Sequence, residues 1–195
     1  REEGNPFGLL EQALDAYRRS GVVGGSVATS YWVLANTCRD LGDLPAAREN
    51  LRRALDAWRG LAMDILPAQE RFVAGLQAHW EGREDAAVRD IGDAYALLAG
   101  TDHVALQVNA LTVLAEARLA TGDAEGALAA STPAVAVLDG STEEIEGMTP
   151  VRTRRVHCQA LAAAGRPAAA RRALARAYRD VVEPIRHIAD EGLRR

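Results

Sequence analysis

The sequence predicts an all-α protein built from stacked antiparallel helix pairs, and three observations carry that reading. The apolar residues, 48% of the chain, are mainly Ala, Leu and Val, and with 5% aromatics and long Arg/Glu/Ala runs they favour helix over sheet. Glycine interrupts these helical runs at Gly42, Gly82, Gly122 and Gly165, spacings of 40, 40 and 43 residues. Inside a helix each would lose roughly 1 kcal/mol relative to Ala. Small residues stand in fixed register with all four glycines, and punctuation at a fixed interval marks a repeat architecture.

The elements follow in order. "LEQALDAY", Leu10 to Tyr17, aligns with "LRRALDAW", Leu51 to Trp58, so an incomplete copy is expected over 1–20 with a helix at 8–19. "GVVGGSVATS", Gly21 to Ser30, has no preceding strand and no lysine after its glycines, and reads as a linker rather than a phosphate loop. Helices are expected at 26–41 and 45–60, separated by Gly42 in a left-handed turn, with Asp43 as cap and Pro45 in the next first turn. The same logic places helices at 67–81 and 84–99 around Gly82, and at 103–121 and 124–138 around Gly122. Around Gly165 it places helices at 150–164 and 167–182. "STEEIEGMT", Ser141 to Thr149, lacks the alternating oxygen ligands of a calcium loop and reads as a solvated connector. A last helix is expected over 184–195. The whole is one array, with full repeats at about 26–61, 67–100, 103–139 and 150–182, expected to be a piece of a longer protein.

Three small-residue columns define the unit. Five positions after each glycine stand Ala47, Ala87, Ala127 and Ala170; twelve after stand Ala54, Ala94, Ala134 and Ala177. Seven before stand Ala35, Gly75, Ala115 and Cys158. Two antiparallel helices joined by a short turn pack closely only where the facing positions lack bulk. Larger residues then fill the space between pairs: Leu51, Leu55 and Trp58, then Ile91, Tyr95 and Leu98, with Leu174 and Tyr178 in the last copy.

On those columns, over roughly Ser26 to Val182, the chain resembles the tetratricopeptide repeat family, whose helix pairs carry a small residue on the first helix, a Gly-Asp-like turn and two alanines on the second. It departs from the family in its longer unit and in Cys38, Ala78, Arg118 and Leu161 at usually aromatic positions. The proline that usually closes a unit is missing. Longer, degenerate units look like the repeat domains of large bacterial signalling and transcription regulators of the maltose-regulator and antibiotic-regulatory-protein kinds. The resemblance implies a right-handed α-α superhelix whose first helices line a concave binding face.

Carrying over the family's groove-facing positions gives Thr29, Trp32, Asn36 and Arg39, then Gln69, Phe72, Leu76 and His79. Asn109, Thr112 and Glu116 follow, with Arg152, Arg155 and Gln159 in the fourth repeat. The expected ligand- or peptide-binding residues are Trp32, Asn36, Arg39, Gln69, Phe72, His79, Asn109, Glu116, Arg152 and Arg155. Such a mixture of aromatics, amides and arginines suits a peptide groove. The alternative for Trp32 and Phe72 is packing between repeats.

All 23 basic residues are arginine, a codon bias first of all, and the net charge is −4. Positions 147–179 hold eight arginines and no acid, whereas 101–146 hold eight acids and one arginine. Pairing of these blocks across a repeat interface is expected ahead of an acidic partner. With that net charge and no recognition-helix motif, direct nucleic-acid contact is not expected. Cys38 and Cys158, 120 positions apart, suit a reducing compartment, and no apolar run approaches the roughly 20 residues that span a bilayer. The four histidines show no metal spacing, so no metal and no cofactor are expected. Ser131 and Cys158 lack the setting of a nucleophile. The expectation is a cytoplasmic, non-enzymatic interaction domain that binds a protein, a peptide or another domain of its own parent. A small-molecule effector sensor and a scaffold or oligomerisation module are the alternatives.

Overall fold

The structure is a computed structural model that describes residues 25–61, 64–140 and 150–186, together with Gln12, Leu14, Ala16 and Arg19. Eight α-helices run through the described residues: α1 (Gly25–Asp40), α2 (Leu44–Arg59), α3 (Leu66–Trp80), α4 (Glu84–Leu98), α5 (Val104–Ala120), α6 (Ala124–Gly140), α7 (Pro150–Ala163) and α8 (Pro167–Arg186). They form four antiparallel pairs stacked as an α-α superhelix. Each pair packs within itself and against the next, as a repeat array requires.

The four turns are built alike. Gly42, Gly82, Gly122 and Gly165 have φ of 83°, 72°, 80° and 70°, the left-handed region where a Cβ is strained. Each glycine N–H bonds the carbonyl three residues back, and the following N–H reaches the carbonyl five back, as in Asp43 N to Cys38 O at 2.9 Å and Arg166 N to Leu161 O at 2.9 Å. These paired bonds are a Schellman motif, which satisfies carbonyls that the helix end leaves unpaired. Asp43 then accepts from Ala46 N at 3.0 Å, and Asp123 from Gly126 N at 2.9 Å, starting α2 and α6. Arg83 makes no side-chain cap at the start of α4, where Glu84 and Asp85 in the first turn face the positive helix end instead.

The small-residue columns are buried in the first three pairs, whereas Ala170, Ala177 and Cys158 of the last pair are only half-buried. Ala47, Ala54, Ala87, Ala94, Ala127 and Ala134 are all fully buried, as are Ala35 and Ala115. One continuous core passes from Ala35 and Leu51 through Phe72, Ile91 and Val113 to Val156 and Leu161. Leu14 joins a smaller cluster with Tyr31, Leu34 and Ala54. A hydroxyl pair, Thr112 to Thr153 at 2.8 Å, ties α5 to α7 inside the core.

Several expectations need revision. Of Gly21 to Ser30, read as linker, Gly25 to Ser30 form the first turns of α1, in line with the helix expected from 26 onward, and 21–24 lie outside the described residues. The helix expected to stop at 182 continues through Pro184 to Arg186, while 187–195 lie outside the described residues, as do the connector 141–149 and most of 1–20. Helix α6 extends to Gly140 and runs through Pro133; just before it, Thr132 Oγ1 donates to the Leu128 carbonyl at 2.7 Å. In the last copy Leu174 and Tyr178 do not fill a space between pairs: they are 60% and 64% exposed, whereas Leu51 and Ile91, which match Leu174, are fully buried and Leu55 and Tyr95, which match Tyr178, are half-buried. Among the described residues no helix is long and apolar enough to cross a membrane.

Candidate functional site

Eight of the ten binding residues expected on the concave face divide into two assemblies. Trp32 of α1, Gln69 and Phe72 of α3 and Asn109 of α5 converge on one cleft of ≈ 540 Å³. Its walls are completed by Thr29, by Trp58 from α2, and by Ile65, His103 and Leu106 at or near the starts of α3 and α5. The aromatic rings are in contact: Trp32 lies 5.2 Å from Phe72 and 6.2 Å from Trp58 between centroids, tilted by 35° and 46°. These offset, inclined arrangements are favourable for rings with negative faces and positive edges. The 3.6-residue period explains the convergence, since Thr29, Trp32 and Asn36 fall on one stripe of α1 and Gln69 and Phe72 on one stripe of α3.

Within that cleft Phe72 is fully buried and Gln69 is 3% exposed, so they form its floor. The Gln69 Oε1 has no hydrogen-bond partner among the described residues. A buried carboxamide oxygen without a donor carries a desolvation penalty of about 1–3 kcal/mol, which a ligand N–H or O–H would relieve.

The second assembly centres on Glu116 of α5. Arg152 of α7 clamps its carboxylate with two bonds, Nε to Oε1 at 3.0 Å and Nη2 to Oε2. Arg155 approaches at 3.6 Å, and His79 Nε2 at 3.9 Å from α3. His79 Nδ1 in turn lies 2.7 Å from Glu84 of α4. Glu116 and Arg152 are 14% and 17% exposed, which makes this fork a link between repeats rather than an open anchor for a ligand.

Asn36 and Arg39 belong to neither assembly. Asn36 Nδ2 bonds the Trp32 carbonyl at 2.9 Å and its Oδ1 is buried without a partner among the described residues. Arg39 lies 5.9 Å from the Trp80 ring centroid and pairs with Asp40.

Arginines of the basic block meet acids of the preceding one at five positions: Arg152 and Arg155 on Glu116, Arg154 and Arg176 on Asp139, and Arg166 on Glu125. Ser131 Oγ stands 3.0 Å from His157 Nδ1, but Ser131 is 1% exposed and closed to any substrate. Burial pushes the Cys158 thiol up, away from the reactive thiolate, although Arg154 opposes this. Among the described residues no three His, Cys, Asp or Glu side chains form a metal-sized cluster.

Trp58, Leu106 and His103 were not read from the sequence as cleft residues. Trp58 has a signal, the position sixteen after the turn glycine, but it suggested packing between pairs. His103 carries none beyond its place at the start of α5.

No family model matches the chain, and no curated protein does either. Several solved structures do match. A single-residue variant of a kinesin-light-chain-like protein of Podosopora anserina, with nearly identical TPR-like repeats, matches at 18% identity and TM-score 0.55, over 92% of this chain and 86% of that one. A second structure of those repeats gives 18% identity and TM-score 0.50, over 88% of this chain and 83% of that one. MamA protein gives 16% identity and TM-score 0.51, over 95% and 90%. The chain thus has a TPR-like helical-repeat fold.

Proposed function

We propose that this chain is a non-enzymatic interaction domain that holds a segment of a partner protein, inserting one aromatic side chain with a hydrogen-bond donor into the Trp32–Phe72 cleft. The unpartnered Gln69 Oε1 on the floor of an aromatic cleft is the observation that carries this reading. Tryptophan or tyrosine would stack on Trp32 and Trp58 while donating to Gln69. The long, degenerate repeat unit supports a place in a bacterial signalling or transcription regulator, and the two widely spaced cysteines suit a cytoplasmic setting, the partner segment belonging to another protein or to another domain of the same one. Direct nucleic-acid contact has no part in this proposal.

A second reading is favoured by size alone: ≈ 540 Å³ falls within the roughly 300–1,000 Å³ range of small-molecule pockets, so an effector could occupy the same cleft. Calorimetry with a capped Ala-Trp-Ala peptide, its 1-methyl-tryptophan analogue and free tryptophan separates the two. Peptide binding that weakens about tenfold on N-methylation, and equally with Gln69→Leu, supports the peptide reading. Free tryptophan binding as tightly as the peptide favours the effector sensor. Absence of binding by all three would leave the cleft without this role and favour a scaffold or oligomerisation module.

A further inference from the structure

The aromatic cleft is bordered by the starts of three helices. Gly25 and Ser26 open α1, Ile65 precedes α3 and His103 precedes α5, and all four line the cleft together with Ala105 and Leu106 from the first turn of α5. Neither Ile65 nor His103 makes a side-chain cap bond, and no acid stands in the first turn of α3 or α5. At the start of α5, Val104 N bonds the Asp102 carbonyl at 2.9 Å and Gln107 N bonds the His103 carbonyl at 3.1 Å. The N–H groups of Ala105 and Leu106 have no acceptor among the described residues. In α2 and α6 the N–H equivalent to that of Leu106, on Ala46 and Gly126, donates to a carboxylate of the chain itself, Asp43 or Asp123; α5 has His103 in that position. In α3 the residue equivalent to Ala105 is Pro67, which has no N–H, so of these two starts α5 is the one that offers a consecutive pair of donors.

We propose that the partner segment ends in this cleft: its last residue is the aromatic one, and its terminal carboxylate caps α5 by accepting from the Ala105 and Leu106 N–H groups. This rests on the cleft reading above and adds the charge of the guest and its place at a chain end. First-turn N–H groups and the positive end of a helix dipole favour an anion. Gln69 is the independent sign of a guest, being 3% exposed on the floor with Oε1 unpartnered among the described residues. It follows Ile65 by four residues, about 6 Å along the helix axis, a depth that one tryptophan spans with its ring N–H on Gln69 and its carboxylate at the helix starts. No acidic side chain is among the residues lining the cleft, so the ammonium of a free amino acid meets no counter-charge there, whereas a chain end brings the carboxylate alone. Asp64 and Asp102 stand just before Ile65 and His103, but both are exposed and outside the lining, where solvent and salt screen their repulsion.

The test is calorimetry on the 195-residue chain with acetyl-Ala-Ala-Trp as the free acid and as the amide, and with indole-3-acetate. The acid should bind about tenfold tighter than the amide, because hydrogen bonds to a charged acceptor are the stronger kind. Ala105→Pro deletes one of the two N–H groups at a helix position where α2 and α3 already carry Pro45 and Pro67, so the start of α5 should accept it. This variant should lose most of the acid's advantage and bind the amide as before. Saturable binding of acid and amide with equal affinity overturns the chain-end inference and leaves the aromatic-cleft reading standing; no binding by any of the three overturns both. Indole-3-acetate binding as tightly as the peptide acid assigns the carboxylate to a free aromatic acid and overturns the chain end. An acid that keeps its full advantage in Ala105→Pro overturns the seat at α5. Should that variant fail to fold, the comparison of acid with amide on the unaltered chain decides alone.

Discussion

Gly75 of α3 lies directly against Ile91 of α4: a Cβ on Gly75 would stand 2.7 Å from both Cδ1 and Cγ1 of Ile91 and 2.9 Å from its backbone nitrogen. In an exposed helix interior Gly→Ala stabilises by roughly 1 kcal/mol. Here the added methyl meets a fully buried side chain and its backbone, so Gly75→Ala should instead destabilise by about 1–3 kcal/mol. The sign of the change in urea midpoint decides between helix propensity and close approach.

Leu51 and Leu174 hold the same register, nine positions after a turn glycine, yet one is fully buried and the other 60% exposed. Leu51→Ala should cost about 2–5 kcal/mol, and Leu174→Ala should stay within about 0.5 kcal/mol of the parent. Equal losses in chemical denaturation would mean that Leu174 is covered in solution.

Glu116 joins arginines from one side and His79 from the other, in a position little exposed to solvent. Its removal leaves Arg152 largely buried without its acid, so Glu116→Gln should cost about 1–3 kcal/mol. A double-mutant cycle with Arg152→Gln should return a coupling of about 1 kcal/mol or more. High salt should change this coupling less than that between Arg52 and Asp56, an exposed pair on α2.

His157 sets the sign of an acid-side pH dependence. Burial lowers its pKa in the folded chain below the ordinary value of 6.5, with Asp139 opposing. Well above pH 6.5 the ring is neutral in both states and its contribution to stability is complete. As pH falls below that value the unfolded chain takes up the proton first, and stability drops. His157→Gln should reduce the difference in urea midpoint between about pH 7.5 and 5. A wild-type curve with no slope in that window would refute this account.

The turns and small-residue columns were legible because they report local constraints. A left-handed turn selects glycine, and a tight hairpin selects alanine at positions that count from that turn. Phe72, Trp32, Gln69 and Asn109 could be placed on first helices by the same counting. What counting from one turn does not supply is the offset between successive pairs. The sharing of Glu116 by Arg152, 36 residues away, and the entry of Trp58 from α2 into the cleft both depend on that offset. For the same reason the arginine block looked uniform in sequence, although Arg152, Arg154 and Arg166 meet acids and Arg172 faces a cavity.

Apart from Trp58 of α2, the cleft walls come from or border α1, α3 and α5, which belong to three consecutive pairs, so its width follows the bend of the stack. Each pair is locked at its own turn by two bonds, and the connection 99–103 is held as well, by Gln107 Nε2 donating to the carbonyls of Leu98 and Thr101 at 2.9 Å, so a change of bend has to come from one pair shifting against the next. A guest between Trp32 and Leu106 would therefore act as a wedge, setting the curvature of the array and carrying a local occupancy to its far ends as a change of shape.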